Sequence, residues 1–551
     1  MKYKTELIHD ILETRGHEKS SLHYESECVE SWIDEAKGAY PKLCDYESEW
    51  LNYIKENPVG DFPYETVTNV TDATINNVVP YAYKSAILKG QTLVNLFKET
   101  NRETAVDEHY LFFKIIGRQL QSLKPNTQYT LIYDNYVDGI STVVYESHID
   151  GLAVEGYQYG QKFTFTTIEN VGSEIHLFVK GDTLEIAQKM LDLQPKVVII
   201  EGNHTQEYIP YFEGMQSVKM PVLTTTGKNL LNFNSNNVDK YYGFDAMSGY
   251  GEKKGIEVGK SSVKFTKTAS AFGFVIKDLI PNTKYVLSYD VDNNSTLTLN
   301  NNYIAWKKHI FTTDGNGNSP KLSWGVFSNN TNNGVYIIYN IQIEEGSTAT
   351  SYEPHKSNIL STSEDVELRG IGEVQDTLDL KTGEMVERVG EAVLDGSERI
   401  VYHHQTTDQN TLRFFINCFG YNTGINTSVP FLTDSNLPKK NSHSVDEESI
   451  FSSWGALYIR IAKEKLTENS VKGFKLWLSQ NPITIQYQLV TSIVKTVDLS
   501  VVNQDGNTTR LRPIEGTMHI STSSETINPL FSGEIPVEAI TQNLASFIEE
   551  E

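Results

Sequence analysis

The spacing of apolar residues changes twice along the chain. Over the first 57 residues it is helical: Leu7, Ile8, Ile11 and Leu12, then Leu22, Val29, Trp32 and Ile33, then Leu43, Trp50, Leu51 and Ile54. Three short amphipathic helices are predicted, broken near "RGHEKSS" and "GAYP". Helices this short are marginal alone, so residues 1–63 read as an attachment module that docks on a copy of itself or on a neighbour. From about residue 64 to 530 the pattern turns to short alternating runs rich in Val, Ile, Thr and Tyr, separated by polar clusters such as "SNNTNNG" and "DGNGNSP". That predicts a mainly β, multi-domain chain of sandwiches or barrels. One helix interrupts it in "KEKLTENSVKGFKLWLSQNP", where Leu466, Val471, Phe474 and Leu478 share a face before Pro482. Residues 531–551 return to helical spacing, and Val537, Ile540, Leu544 and Phe547 form a short heptad-like seam suited to oligomerisation.

Part of the β region is written twice. "LKPNTQYTLIYD" at Leu123 returns as "LIPNTKYVLSYD" at Leu279, "GQTLVNLF" at Gly90 pairs with "GKNLLNFN" at Gly227, and "FTFTT" parallels "HIFTT". Each copy closes on Glu-Gly, five residues, then Tyr-x-Pro, at Glu201-Gly202 and again at Glu345-Gly346. Order is kept while loop lengths differ, as expected of one domain duplicated. The chain therefore divides into 1–63, a first repeat with a leading linker over 64–226, a second repeat over 227–358, a third β domain over 359–530 and a terminal helix over 531–551. The Pro-Asn-Thr triplets read as turns, with Asn at the tighter position. In the strands that follow, Tyr129, Leu131 and Tyr133, like Tyr285, Leu287 and Tyr289, fall on one face and read as core.

Charge narrows the partners. With 71 acidic against 47 basic residues the net charge is −24, and no basic stripe offsets it, so nucleic acid is not an expected partner. The three cysteines, Cys28, Cys44 and Cys418, make neither a disulfide framework nor a zinc motif. No run approaches the length needed to span a bilayer, and the N-terminus lacks the apolar core of a signal peptide.

Catalytic chemistry leaves no signature. His9, His17 and His23 lack ligand spacing, and the adjacent His403 and His404 would point to opposite strand faces. No cofactor and no enzyme activity are expected; with so many carboxylates, a glycosidase pair cannot be inferred by counting. Asp290, Asp292 and Asn294 alternate oxygen ligands as a calcium loop does, without the turn glycine and distal Glu of an EF-hand, so a structural calcium competes with a polar hairpin turn. Trp324 in "KLSWGVF" alternates onto an apolar face and reads as core, whereas Trp306 fits core or sugar platform equally.

"GKNLLNFN", "LIPNTKYVLSYD", "WKKHIFTT" and "VYIIYNIQIEEGSTATSYEPHKSN" together resemble the family 4/9 carbohydrate-binding-module-like jelly rolls of tail and baseplate proteins from phages of Gram-positive bacteria. The resemblance covers 227–358 and, more loosely, 90–215. "VELRGIGEVQDTLDLKTGEMVERVGEAVLDG", "GFKLWLSQNPITIQYQL" and "GTMHISTSS" resemble minor structural proteins of the same phages, as does "YESECVESWIDEAKGAYPKLCDYESEWLNYI" near the N-terminus. It implies a virion component assembled in the host cytoplasm, often trimeric like a tail fibre, that contacts other tail or baseplate proteins and engages host cell-wall polysaccharide. A purely structural scaffold and a tail-associated glycan hydrolase are the alternatives.

Within the jelly rolls the closing strands diverge. One face is apolar in both, Val197 and Ile199 against Ile341 and Ile343. The other is Lys196, Val198 and Ile200 in the first copy but Asn340, Gln342 and Glu344 in the second, with Tyr336 further up, and in the preceding strands Ile132 of the first copy stands where Ser288 stands in the second. Amides and a carboxylate beside aromatic rings suit a sugar, so Tyr336, Asn340, Gln342, Glu344, Ser288 and Trp306 are the candidate glycan contacts, against the alternative of a solvated outer sheet. The apolar counterpart in the first copy is expected to be covered by protein.

Overall fold

In the computed structural model, residues 63–538 are described apart from 81, 107–110, 120–122, 147–155, 170–173, 206, 233–237, 243, 246–248, 251–255, 267–270, 292–296, 300–301, 304–306, 327–334, 403–408, 421–427, 441–445 and 504–509. The predicted N-terminal helices, His9, His17, His23, His403, His404, Cys28, Cys44, Asp292, Asn294, Trp306, Ile540, Leu544 and Phe547 lie outside the described residues. The chain is mainly β, built from several sheets and few helices.

Strand pairing ties together segments that are remote in sequence. Tyr64–Val70 runs antiparallel to Leu530–Pro536, which pairs on its other edge with Ser85–Lys89. The sheet continues through Thr377–Asp379, Glu384–Leu394 and Ile483–Thr496 to Phe431–Thr433. A second sheet orders Asp72–Val78, Gly516–Ser523, Val222–Gly227, Ser357–Thr362 and Leu499–Asn503. Leu88, Leu223, Leu360, Met518 and Phe531, from both sheets, meet in one core. These strands form a hub from which the chain makes three excursions, the third interrupted midway by the hub strand Phe431–Thr433, and each ends by adding another strand to the hub.

The hub corrects two expectations. Residues 64–70, 72–78 and 85–89 are hub strands rather than a leading linker, and 531–536 belong to a strand rather than to a terminal helix. Val537 is no seam residue: it bridges Val78, and its N–H donates to the Pro63 carbonyl at 2.9 Å. The alternation in "LFSGEIP", which buries Phe531, Gly533 and Ile535, carries the stronger period.

The first two excursions are the two repeats. In the first, Phe97–Val106, Leu111–Gln119, Glu174–Gly181, Ile140–Glu146 and Gln158–Tyr159 form one sheet, and Lys162–Thr166, Gln128–Tyr133 and Val197–Glu201 the other. In the second, Val238–Tyr242, Ala271–Ile276, Leu322–Val326, Leu297–Leu299 and Asn302–Tyr303 face Ile256–Val258, Val263–Thr266, Val335–Glu345, Lys284–Val291 and Lys308–Thr312. From Leu111 and from Ala271 onward the equivalent strands cross between the two sheets in the same order, changing sheet at each step except at the short hairpin strands Gln158–Tyr159 and Asn302–Tyr303. Tyr129, Leu131 and Tyr133 are buried in the first core and Tyr285, Leu287 and Tyr289 in the second, as their alternation predicts. Trp324 is fully buried against Phe274 and Tyr289.

Two α-helices are present among the described residues. Helix α1, Leu184–Leu193, lies in the first sandwich; the Thr183 hydroxyl caps it by accepting from the Ile186 N–H, and it ends on Gln194 in the left-handed region before Pro195. The helix passes so close to Gly181 that a Cβ there would lie 2.5 Å from the Ala187 nitrogen. Helix α2, Val471–Gln480, packs on the third excursion, the sheet of Ile400–Tyr402, Thr411–Ile416, Ala456–Ala462 and Ser449–Ser453. Phe474 stacks on Phe414 at 4.0 Å, and Leu466 and Leu478 enter the same core with Val471 packed at its edge.

Candidate functional site

The duplicated residues hold the sandwiches together rather than a ligand. Asn126 and Asn282 both take φ near +50° in the Pro-Asn-Thr turn, where Asn is among the few tolerated side chains. The Tyr129 hydroxyl accepts the Lys124 N–H at 2.8 Å, and the Tyr285 hydroxyl accepts the Ile280 N–H at 3.1 Å. Thr167 Oγ1 and Thr313 Oγ1 each accept the N–H of the turn threonine at 3.0 Å.

A second pair shifts the expected alignment by three residues. The Asn95 side chain donates to the carbonyls of Val197 and Phe212 and accepts the N–H groups of Phe97 and Ile199. Asn229 donates to those of Ile341 and Glu353 and accepts from Leu231 and Ile343. Asn95 therefore matches Asn229, not Asn232 as the glycine pairing suggested. "NLF" aligns with "NLL"; the preceding glycines were the misleading landmark.

The outer faces of the two sandwiches have separated in role. In the first copy Ile132, Val198 and Ile200 are buried in the hub's core with Phe212 and Val218. In the second, Gln342 and Glu344 are buried as well, at 0% and 6% exposure, but by the segment that directly follows their strand. Glu344 accepts from the Thr350 N–H at 3.0 Å and its hydroxyl at 2.6 Å, and Gln342 Oε1 accepts the Glu353 N–H at 2.8 Å while its Nε2 donates to Glu344 at 2.7 Å. These side chains anchor the 350–353 segment and present no open polar face, a correction to their reading as glycan contacts. Amides that cap a returning loop and amides that bind sugar have the same sequence signature.

Asn340 departs from the alternation too. Its φ is +53°, the register shifts between Ser288 and Asp290 on the neighbouring strand, and its Nδ2 donates to Asp290 at 2.9 Å. Asp290 also pairs with Lys307 at 3.7 Å, so the one calcium candidate among the described residues already has an amide and an ammonium as neighbours. Among the described residues no group of three or more His, Cys, Asp or Glu is placed to hold a metal. Ser288 is half-buried opposite Gln342, and Tyr336 pairs with Phe265 in its strand.

A different concavity lies where the first sandwich, the hub and the third excursion meet. It encloses about 800 Å³. Phe97 and Val197 of the sandwich and Leu437 of the third excursion, all buried, contribute apolar surface. Tyr211, in the segment leading back to the hub, and Trp477 of α2 contribute aromatic surface. Lys196 lies 4.6 Å from the Tyr211 ring centre, and the Tyr211 hydroxyl donates to Glu213 at 3.0 Å; burial and that carboxylate push the phenol up to about 12. Trp477 stacks on Phe474 at 6.0 Å. Asp434 accepts the Thr484 N–H at 2.8 Å, and burial raises its pKa. Sequence reading missed this site because its residues come from the first excursion, the segment returning to the hub and the third excursion, and no local pattern unites them.

No protein-family model matches the sequence, and no curated protein is significantly similar to it. Among solved structures, two cryo-EM structures of the arabinofuranosyltransferase AftD from Mycobacteria, one a mutant, are similar at 8% and 7% identity, each with a TM-score of 0.16. The alignments cover 88% and 89% of this chain but only 37% and 36% of theirs, and at that score no common fold is implied.

Proposed function

We propose that this protein is a structural component of a phage tail or baseplate that helps attach the virion to host cell-wall glycan. The family reading rests on the stretches quoted above. The observation that carries it is the hub itself: a two-sheet β body from which sandwich modules project, one packed on it through Ile132, Val198 and Ile200 and one whose core draws only on residues 231–343 and those packed beside them. Such a layout holds modules at set positions, as an attachment particle requires. A scaffold without glycan contacts is the second reading, favoured by the closure of the Gln342 and Glu344 face.

Two measurements test the proposal. Labelling the protein on virions should place it on the tail or baseplate, and placement on the capsid overturns the assignment. Purified protein should sediment with cell walls from a susceptible host in a salt-insensitive manner, whereas absence of sedimentation at any salt leaves the scaffold reading. Light scattering is expected to report an oligomer, with the trimer implied by the family resemblance.

A further inference from the structure

We propose that the cleft between the first sandwich, the hub and the third excursion is a binding site for a neutral oligosaccharide; this rests on, and localises, the glycan-attachment reading. Its two exposed-edge aromatics are already fixed, Tyr211 by Lys196 and Glu213 and Trp477 by Phe474. Rings held in place offer the C–H faces of a sugar a stacking surface at little ordering entropy.

The charge balance selects the ligand class. Lys98, Lys196 and Lys465 line the cleft against Glu99, Glu213 and Asp434, a local balance of zero in a chain of net charge −24. Two of these charges have partners beside the cleft, Lys465 on Glu448 at 2.6 Å and Glu99 on Arg102 at 2.5 Å. Neither a polyanion nor a cation finds a field there, while the amides of Asn436 and Gln480 with the Glu213 and Asp434 carboxylates supply donors and acceptors for hydroxyls. The volume of about 800 Å³ lies inside the range of about 300–1,000 Å³ usual for ligand clefts. A second cavity, of about 650 Å³ between Asp395–Ser397 and α2, has no aromatic ring in its lining.

The test uses the full chain and titration calorimetry with three neutral probes, the N-acetylglucosamine tetramer, cellotetraose and maltotetraose, beside an acidic galacturonate tetramer. At least one neutral probe should bind saturably and the acidic one at least about tenfold more weakly. Tyr211→Ala and Gln480→Ala should each weaken binding about tenfold or more, Tyr211→Phe should retain most of it, and Tyr339→Ala on the second sandwich should leave it unchanged. Absence of binding by every neutral probe, or binding that survives both alanine variants, overturns the site. Tyr211→Phe and Gln480→Ala leave ring packing intact, so a folding defect cannot mimic the result. If the cleft variants still sediment with cell walls, the attachment reading stands and this site falls; if tetrasaccharide binds in the cleft while walls do not sediment, the reverse holds.

Discussion

At the scale of single residues, the positions that matter most are four asparagines. Asn126 and Asn282 sit at φ of +50° and +53°, so a β-branched side chain there should destabilise its own sandwich by about 1–2 kcal/mol, while glycine is tolerated. Comparing Asn126→Val with Asn126→Gly by thermal melting checks this, and equal effects would remove the backbone explanation. Asn95 and Asn229 each satisfy several buried backbone groups, so Asn95→Ala or Asn229→Ala should cost on the order of 3 kcal/mol. Hydrogen exchange at Ile199 or Ile343 would report the loss. The turns were legible because Pro-Asn-Thr is local chemistry. The Asn95 and Asn229 pairing was not, because their partners lie about a hundred residues away and nothing nearby marks them.

At the scale of elements, period decided what could be read. Helix α2 was legible from Val471, Phe474 and Leu478, whereas Leu466, expected on the same face, stands in extended backbone ahead of the helix; the cap is Ser470, whose hydroxyl accepts from the N–H groups of Lys472 and Gly473 at 3.1 Å. Ser470→Ala should cost about 1 kcal/mol in the melting of the third excursion, and Ser470→Asp should restore it. Helix α1 carries the same kind of signal, Thr183 before an Ile186, Ala187, Met190 and Leu191 stripe, and escaped notice inside a region read as uniformly β; Gln194 in place of a terminal glycine hid its end. One loop is held by charge. Although what burial it has works the other way, Asp446 is held down to about 2 by the Thr411 hydroxyl and the N–H groups of Asn410, Thr411 and Gln409. A depressed carboxylate stabilises the fold above its unfolded value of about 4, and the contribution fades as pH falls toward 2. Protection of the Asn410 and Thr411 amides, measured against their intrinsic exchange rates, should therefore fall over that acid window, and Asp446→Asn should flatten the dependence.

For the whole molecule, mainly β architecture and the duplication were readable, but the hub was not, since its strands come from opposite ends of the sequence and each alone resembles a linker or a domain margin. The fragments should behave accordingly. Residues 228–356 contain their own core and should be soluble and monomeric, whereas 95–206 expose Ile132, Val198 and Ile200 and should aggregate on a sizing column unless Val198 and Ile200 are made polar. Equal solubility of the two would contradict the burial of that face by the hub. The pairing of Tyr64–Val70 with Leu530–Pro536 also has a meaning in time. On the ribosome, the first strand must wait for its partner through synthesis of all three excursions, roughly 20–90 s at about 5–20 residues per second. The second sandwich can close during that interval, but the hub's early strands stand with open edges, the condition that invites mispairing with other nascent chains. A chain stopped short of residue 530 would thus release a folded module on an unfinished body, and the danger to this protein during synthesis is set by translation speed rather than by the stability of the finished fold.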